Sequence, residues 1–305
     1  MTRNKLKKKS LINQKELWIM LIPVLLYFVL FKYLPMGGVI IAFQRYSPFR
    51  GVAGSPWVGF EYFRQFFSSI YFGRVLRNTL MIGLFDLAFG FPAPIILALL
   101  LNGIGNKTFK KATQTVTLLP HFVSYVVVAG IALNMLSPST GVINAFRMKL
   151  GLDSIYFMQE SKYFWGIFTS LRIIKESGFA AIIYLAALSA IDPTLYEAAR
   201  CDGASRPQQL RHVTLPGIIP TIVIMFIIKV GKIISISFEQ VLLLQNDVIL
   251  DTSEVISTLV YRRGLVNADY SYATAVGLFE TFVALVLVLS SNAIARRMKS
   301  ESSLW

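Results

Sequence analysis

Six apolar runs, each long enough to cross a bilayer, alternate with shorter polar connections along this chain. A spanning helix takes about 20 mostly apolar residues, because each advances about 1.5 Å through a hydrocarbon core of about 30 Å. The first run is Leu17 to Phe43, interrupted by Lys32, Pro23 and Pro35. The second, Leu80 to Leu101, encloses Asp86, and the third, Thr115 to Leu136, carries no acidic or Lys/Arg residue. The fourth, Tyr163 to Ala190, is broken in its first half by Arg172, Lys175 and Glu176. The fifth, Ile218 to Leu244, holds Lys229, Lys232 and Glu239, and the sixth, Ala273 to Ile294, holds Glu280. The first run has the basic start of a signal peptide. It is too long for one and no small-x-small cleavage site follows, so it reads as a retained span. The pattern predicts an all-α polytopic membrane protein of six transmembrane helices. A basic tail over 1–15 precedes a membrane domain over 16–298, and a short tail over 299–305 follows it.

Composition agrees. Of 305 residues 55% are apolar and 15% are charged, against about 25% charged in a soluble domain, and the mean hydropathy is +0.60. One cysteine, Cys201, cannot close an intrachain disulfide. With His121 and His212 the only histidines, a four-ligand zinc site of Cys and His is excluded, and no metal or cofactor is expected. The net charge of +14 comes without an aromatic–basic RNA motif, so no nucleic-acid partner is expected. In a membrane protein such an excess reports topology. With the N-terminus in the cytoplasm, fifteen Lys and Arg fall in inner segments and ten in outer ones. Both termini then lie inside. The outer segment from Gln44 to Thr79 is rich in aromatics, among them Tyr46, Trp57, Phe60, Phe66 and Phe67. It fits an interfacial or re-entrant helix and equally a packed surface loop.

The connection over 191–216 is polar but ordered in pattern. Asp192-Pro193-Thr194 reads as a helix cap with proline in the first turn. The run Leu195 to Arg200 favours helix, Gly203 permits a sharp turn, and Arg206-Pro207 opens a second short helix before Leu215-Pro216 re-enters the membrane. This predicts a helix–turn–helix finger on the cytoplasmic face, a feature suited to docking.

Glu197-Ala198-Ala199, Gly203 and Val213-Thr214-Leu215-Pro216, at this spacing, resemble the EAA loop of permease subunits of ATP-binding-cassette importers. Val213 stands where isoleucine is usual, and Asp202-Gly203-Ala204 resembles the sugar-importer form. The stretches 184–188, 259–265 (Leu-Val-Tyr-Arg-Arg-Gly-Leu) and 270–279 look like the LplB-type branch for oligosaccharides and polysaccharides. The resemblance covers almost the whole chain after residue 15. It implies the type I (MetI-like) importer fold in a bacterial plasma membrane. It also implies a second permease subunit, two ATPase subunits docked on the cytoplasmic loops, and an extracellular or periplasmic sugar-binding protein. Glu197 and Gly203 would be the coupling residues.

Charges inside the bilayer must face protein or water. Lys229, Lys232, Ser235 and Glu239 are spaced to share one helical stripe, and Lys229 and Lys175 both lie about 18 Å deep. Arg172 and Glu176, four apart, can pair. A polar sugar path through Lys175, Lys229, Lys232, Glu239 and Gln240, with Phe238 as a surface for a sugar ring, competes with internal ion pairing. Asp86 and Glu280 read as isolated, hydrogen-bonded carboxylates rather than proton carriers. Three lysines near mid-membrane with few anions in register suggest an acidic cargo. Pro92 and Pro94 predict a kink in the second span.

The sequence lacks a Gly-x-x-x-x-Gly-Lys-Ser/Thr phosphate loop, so ATP hydrolysis belongs to other subunits and the chain is not expected to be an enzyme. Two other classes remain open on residues alone. A single-chain, ion-coupled secondary transporter leaves the docking finger unexplained, and an integral membrane enzyme needs a clustered acid, base or metal site that no spacing here supplies.

Overall fold

The computed structural model describes residues 15–297, so the basic tail up to residue 14 and the tail over 299–305 lie outside the described residues. Within them the chain is helical and connecting segment throughout, and its one β-type contact is an isolated bridge between Gln44 and Trp57. Helix α1, Lys15–Phe28, continues through a π turn at Val29–Tyr33 and ends as a tight 3-10 stretch at Gly37–Phe43. After the short α2, Glu61–Phe67, come α3, Phe72–Phe85, and α4, Pro92–Gly103, joined by a π turn at Asp86–Gly90. Helices α5, Lys107–Phe122, and α6, Tyr125–Met135, follow, then α7, Val142–Lys149. The 26-residue α8, Phe164–Ser189, leads to α9, Pro193–Cys201, and then to α10, Leu215–Gly231. Helices α11, Phe238–Leu244, and α12, Ile256–Tyr261, precede α13, Tyr270–Arg297.

Four helical stretches are long and apolar enough to span a membrane alone: Leu17–Phe43, Phe72–Gly103, Arg206–Gly231 and Tyr270–Ala293. Two bent pairs raise the number to six. The six-span pattern therefore holds, with two revisions of shape. The third run is not one rod, because α5 and α6 meet at 100°. Ser124 causes the break: its hydroxyl caps α6 by accepting from Val127 N, in extended backbone. The fifth run stops at Gly231, and residues 232–237 are non-helical before α11. Lys229, Lys232, Ser235 and Glu239 therefore do not form one stripe, since that spacing argument needs an unbroken helix. The second short helix of the finger is also longer than expected, because it runs without interruption from Arg206 into α10.

Close helix packing rests on small residues, as it does where lipid supplies no hydrophobic drive. Ala98 and Ala181 are fully buried between α4 and α8, with Tyr184, Leu188 and Ile218 around them. A Cβ on Gly178 of α8 would run into the Thr117 carbonyl of α5, so those two backbones touch. At the other end the aromatic segment before α3 holds the short helix α2 between loops, with Phe66 packed inward and Trp57, Phe60 and Phe67 exposed. Phe66 is 1% exposed and its ring meets Phe72, Tyr272 and Phe279.

Candidate functional site

Two sites stand out along α8, one just beyond its C-terminal end and one near its middle. The first is the finger. Asp192 caps α9 by accepting from Thr194 N at 2.9 Å, and this bond holds its carboxyl below the usual carboxylate range. The helix closes in a Schellman pattern: Ala204 N donates to Ala199 O and Gly203 N to Arg200 O. Gly203 sits at φ +77°, the left-handed region, with open space where a Cβ would go. Gln208 then turns back, its Oε1 accepting from Ser205 N at 2.7 Å, and starts the helix that becomes α10. Tyr196 and Thr214 are hydrogen-bonded through their hydroxyls at 3.0 Å, tying α9 to the root of α10. Glu197, Ala198, Asp202 and Gly203 are exposed, Ala199 and Leu215 half-buried, and Pro216 exposed at the start of α10.

The second site is a charged layer in the middle of the bundle. Asp86 is 5% exposed, and its Oδ2 receives Lys229 Nζ at 2.6 Å and Arg172 at 3.2 Å. A Cβ on Gly90, one turn on, would strike Asp86 Oδ1, so that glycine makes the room the carboxylate occupies. Asp86 is therefore not isolated but the shared anion of two cations, and Lys229 is not left without a counter-charge. Residues 86, 172 and 229 come from three different helices, which local spacing could not reveal. Arg172 pairs with Asp86 rather than with Glu176. Glu176 instead accepts from Tyr125 OH at 2.8 Å and lies 3.5 Å from His121.

Lys175 is buried and donates to the carbonyls of His121, at 2.8 Å, and Val123. Its ammonium also lies 4.7 Å from the centre of the Tyr125 ring. It thus caps the open end of α5, where helix carbonyls carry partial negative charge. Adjacent residues of opposite charge on α8 grip the two sides of the α5–α6 elbow.

A cavity of about 310 Å³ is lined by Asp86, Gly90, Arg172, Glu176, Lys229 and Lys232, with apolar neighbours such as Phe91 and Met225. Of the path candidates, Lys229 and Lys232 line it; Lys175, Phe238, Glu239 and Gln240 do not. Gln240 is 3% exposed and donates to Phe168 O at 3.0 Å, which fastens α11 to α8. Phe238 lies 5.1 Å from the Tyr261 ring, in a separate apolar pocket of about 460 Å³, and Glu239 is exposed. Sequence reasoning did not place Arg172 and Asp86 together here. The usable signal was Gly90 four residues after a membrane carboxylate. Among the described residues no group of three His, Cys, Asp or Glu is placed to hold a metal ion.

The family model for "Binding-protein-dependent transport system inner membrane component" matches residues 66–300. Protein LplB of Bacillus subtilis is 44% identical over 96% of this chain and 92% of its own length. The polygalacturonan/rhamnogalacturonan transport system permease protein YteP of the same organism is 43% identical over 96% and 91%. In the crystal structure of a bacterial alginate ABC transporter with an alginate pentasaccharide-bound periplasmic protein, one chain is 42% identical. It matches with a TM-score of 0.89, covering 97% of this chain and 99% of that one. The chain belongs to the family of inner-membrane components of binding-protein-dependent transport systems.

Proposed function

We propose that this chain is a transmembrane subunit of an ATP-driven importer for oligosaccharides, forming the translocation path with a second permease. Two ATPase subunits dock on the cytoplasmic loops of the permease pair, on this chain through the 191–216 finger, a binding protein delivers cargo at the opposite end, and both termini are cytoplasmic. The membrane domain extends over 16–298 between two short cytoplasmic tails. The observation that carries the reading is the finger. A capped helix, a left-handed glycine and a second capped helix expose Glu197, Asp202 and Gly203 between two helices of the bundle. A stand-alone secondary transporter has no use for such a part.

The cargo is an acidic oligosaccharide. Arg172, Lys229 and Lys232 line the central cavity against Asp86 and Glu176, leaving one cation in excess. The YteP relative is named for polygalacturonan and rhamnogalacturonan, and a 44% identical chain belongs to an importer of alginate, an acidic polysaccharide. Lys229 and Lys232 meet the cargo's carboxylates, while Lys175 and Gln240 brace the helices around the path. Phe238 and Glu239 stand outside this cavity, and their contact with cargo requires the second permease.

Native Cys201, exposed at the end of α9, reports the docking directly. Its alkylation in the purified chain should be fast and should fall when an ATPase subunit binds. Equal alkylation with and without the ATPase subunit, together with uptake by this chain alone, would refute the importer reading.

A further inference from the structure

The Tyr-Arg-Arg-Gly-Leu stretch at 261–265 belongs to neither site above, yet the fold gathers charge around it. At the end of the bundle opposite the finger, the Tyr71 ring has three guanidiniums about it. Arg74 lies at 5.1 Å, Arg262 at 5.6 Å and Arg263 at 5.9 Å from its centre. Arg263 also stands 5.5 Å from the Tyr272 ring. Two of them, Arg74 and Arg262, share one ion-paired carboxylate, Glu254, which is 1% exposed. Asp269 uses its carboxylate to cap α13 at Tyr272 N, and Arg77 and Asp251 neutralise each other. Among the described residues Arg263 makes ring contacts and no ion pair.

Height places this group at the membrane surface. The helix from Phe72 to Gly103 has 32 residues, about 48 Å, against a bilayer of about 40–45 Å with its headgroups. Upright and centred on the membrane, its start lies about 23 Å from the midplane, at the edge of the headgroups. Beside the arginines, Ile70 is 87% exposed, Leu265 66% and Val266 64%. Exposed apolar side chains at this surface form a patch beside Arg and Tyr, two residue types enriched at interface centres.

We infer that this rim, Tyr71 with Arg262 and Arg263 flanked by Ile70, Leu265 and Val266, docks an acidic patch on the binding protein. This rests on the importer reading above, which puts the binding protein at this end. Arg74, Arg262 and Arg263 against Glu254 and Asp269 leave one positive charge in excess, and Arg263, without an ion pair among the described residues, presents it. The Tyr71 and Tyr272 rings hold it in place before the partner arrives. A charge on an interface rim acts chiefly on encounter, and therefore on the association rate and its salt dependence.

The test uses the complete importer in lipid nanodiscs and its own cargo-loaded binding protein, with association followed optically at about 50 and about 300 mM salt. Arg263→Ala should slow association several-fold and Arg263→Glu at least about tenfold. Both should flatten the salt dependence and leave dissociation and thermal unfolding unchanged, because Glu254 keeps its two partners. Wild-type binding that Arg263→Glu leaves unchanged in rate overturns the inference alone. Absence of any binding to the wild-type importer overturns the importer reading with it. A variant that binds the protein normally but loses affinity for free acidic oligosaccharide assigns the rim to cargo and overturns the inference.

Discussion

Gly203 allows a perturbation whose size follows from one angle. Its φ is +77° and nothing lies within 4 Å of the position a Cβ would take. Substitution therefore causes no collision; its cost is conformational. An L-residue in the left-handed region costs about 1–2 kcal/mol, Asn less because it visits that region, and a β-branched residue more. The strain falls on a surface turn and leaves the buried contacts of the spans intact. Expressed as a shift between the docking-competent turn and relaxed alternatives, about 1.4 kcal/mol is tenfold. The expected order of coupling is the native glycine, then Gly203→Asn, then Gly203→Ala at about one tenth, then Gly203→Val at about one hundredth or below. The assay is cargo-stimulated ATP hydrolysis and uptake in proteoliposomes at equal protein, with melting temperature as a control. If Gly203→Val coupled as well as Gly203→Asn, the left-handed turn would not be the feature the ATPase subunit reads.

Three further outcomes are expected. Asp86→Asn leaves Arg172 and Lys229 without their shared anion and should lower stability in detergent. The loss should be about 3 kcal/mol, at the lower end for a broken buried pair because the two cations are 22% and 25% exposed. Thermal unfolding measures it, and Asp86→Asn combined with Lys229→Gln should recover part of the loss. Lys175→Met strips the donor from the carbonyls of His121 and Val123. It should cost about 1–3 kcal/mol and raise hydrogen exchange near residue 124; unchanged exchange would show that the elbow holds itself. The Asp192 cap has a folded pKa below its unfolded value. Its contribution is therefore full above the ordinary carboxylate range and is lost as pH falls through the lowered value. Coupling should not change between about pH 8 and about pH 6 on its account, and Asp192→Asn, which keeps the acceptor, should stay close to wild type where Asp192→Ala does not.

The finger was legible because its signals are local. Asp192 before Pro193, the helix-forming run and Gly203 each act within a few residues, and the structure shows the cap, the helix and the positive φ in those places. The six-run pattern was legible for the same reason, since span length depends only on composition. The interruptions were harder to see. Ser124 lies in an apolar run that hides an N-cap, and Gly231 precedes alternating isoleucine and serine that keep hydropathy high after the helix has ended. The charge pairs were the least visible. Asp86 meets residues 86 and 143 positions away, and a carboxylate that looked alone in sequence is shared between two helices. With that pairing in place, unpaired lysines no longer favour an acidic cargo. The one surplus cation among the residues lining the cavity does so instead.

Helix α8 links the finger to that cavity, and its rigidity sets how. It runs 26 residues without a break, about 39 Å, and only three residues separate Ser189 from α9. Along it, Arg172 reaches the Asp86 turn, Lys175 and Glu176 grip the α5–α6 elbow, and the Phe168 carbonyl holds α11 beyond the break after α10. The helices it holds carry interruptions near these contacts, at the Asp86 turn, at Ser124 and before α11, while α8 carries none. A tilt of about 10° about its middle would move each end by about 3 Å and Arg172, about 7 Å from the middle, by about 1 Å. A straight rod cannot yield so far by stretching bonds. The interrupted helices must follow it, and the interruptions supply the freedom. We predict that spin labels at Ser189, at the end of α8, and Leu195, both exposed, change their distances to a reference label on α13 together when the complete importer cycles from the nucleotide-free to the ATP-bound state. Movement of the Leu195 label with the Ser189 label stationary would show that the finger flexes at Ala190 instead, and would refute the rigid linkage.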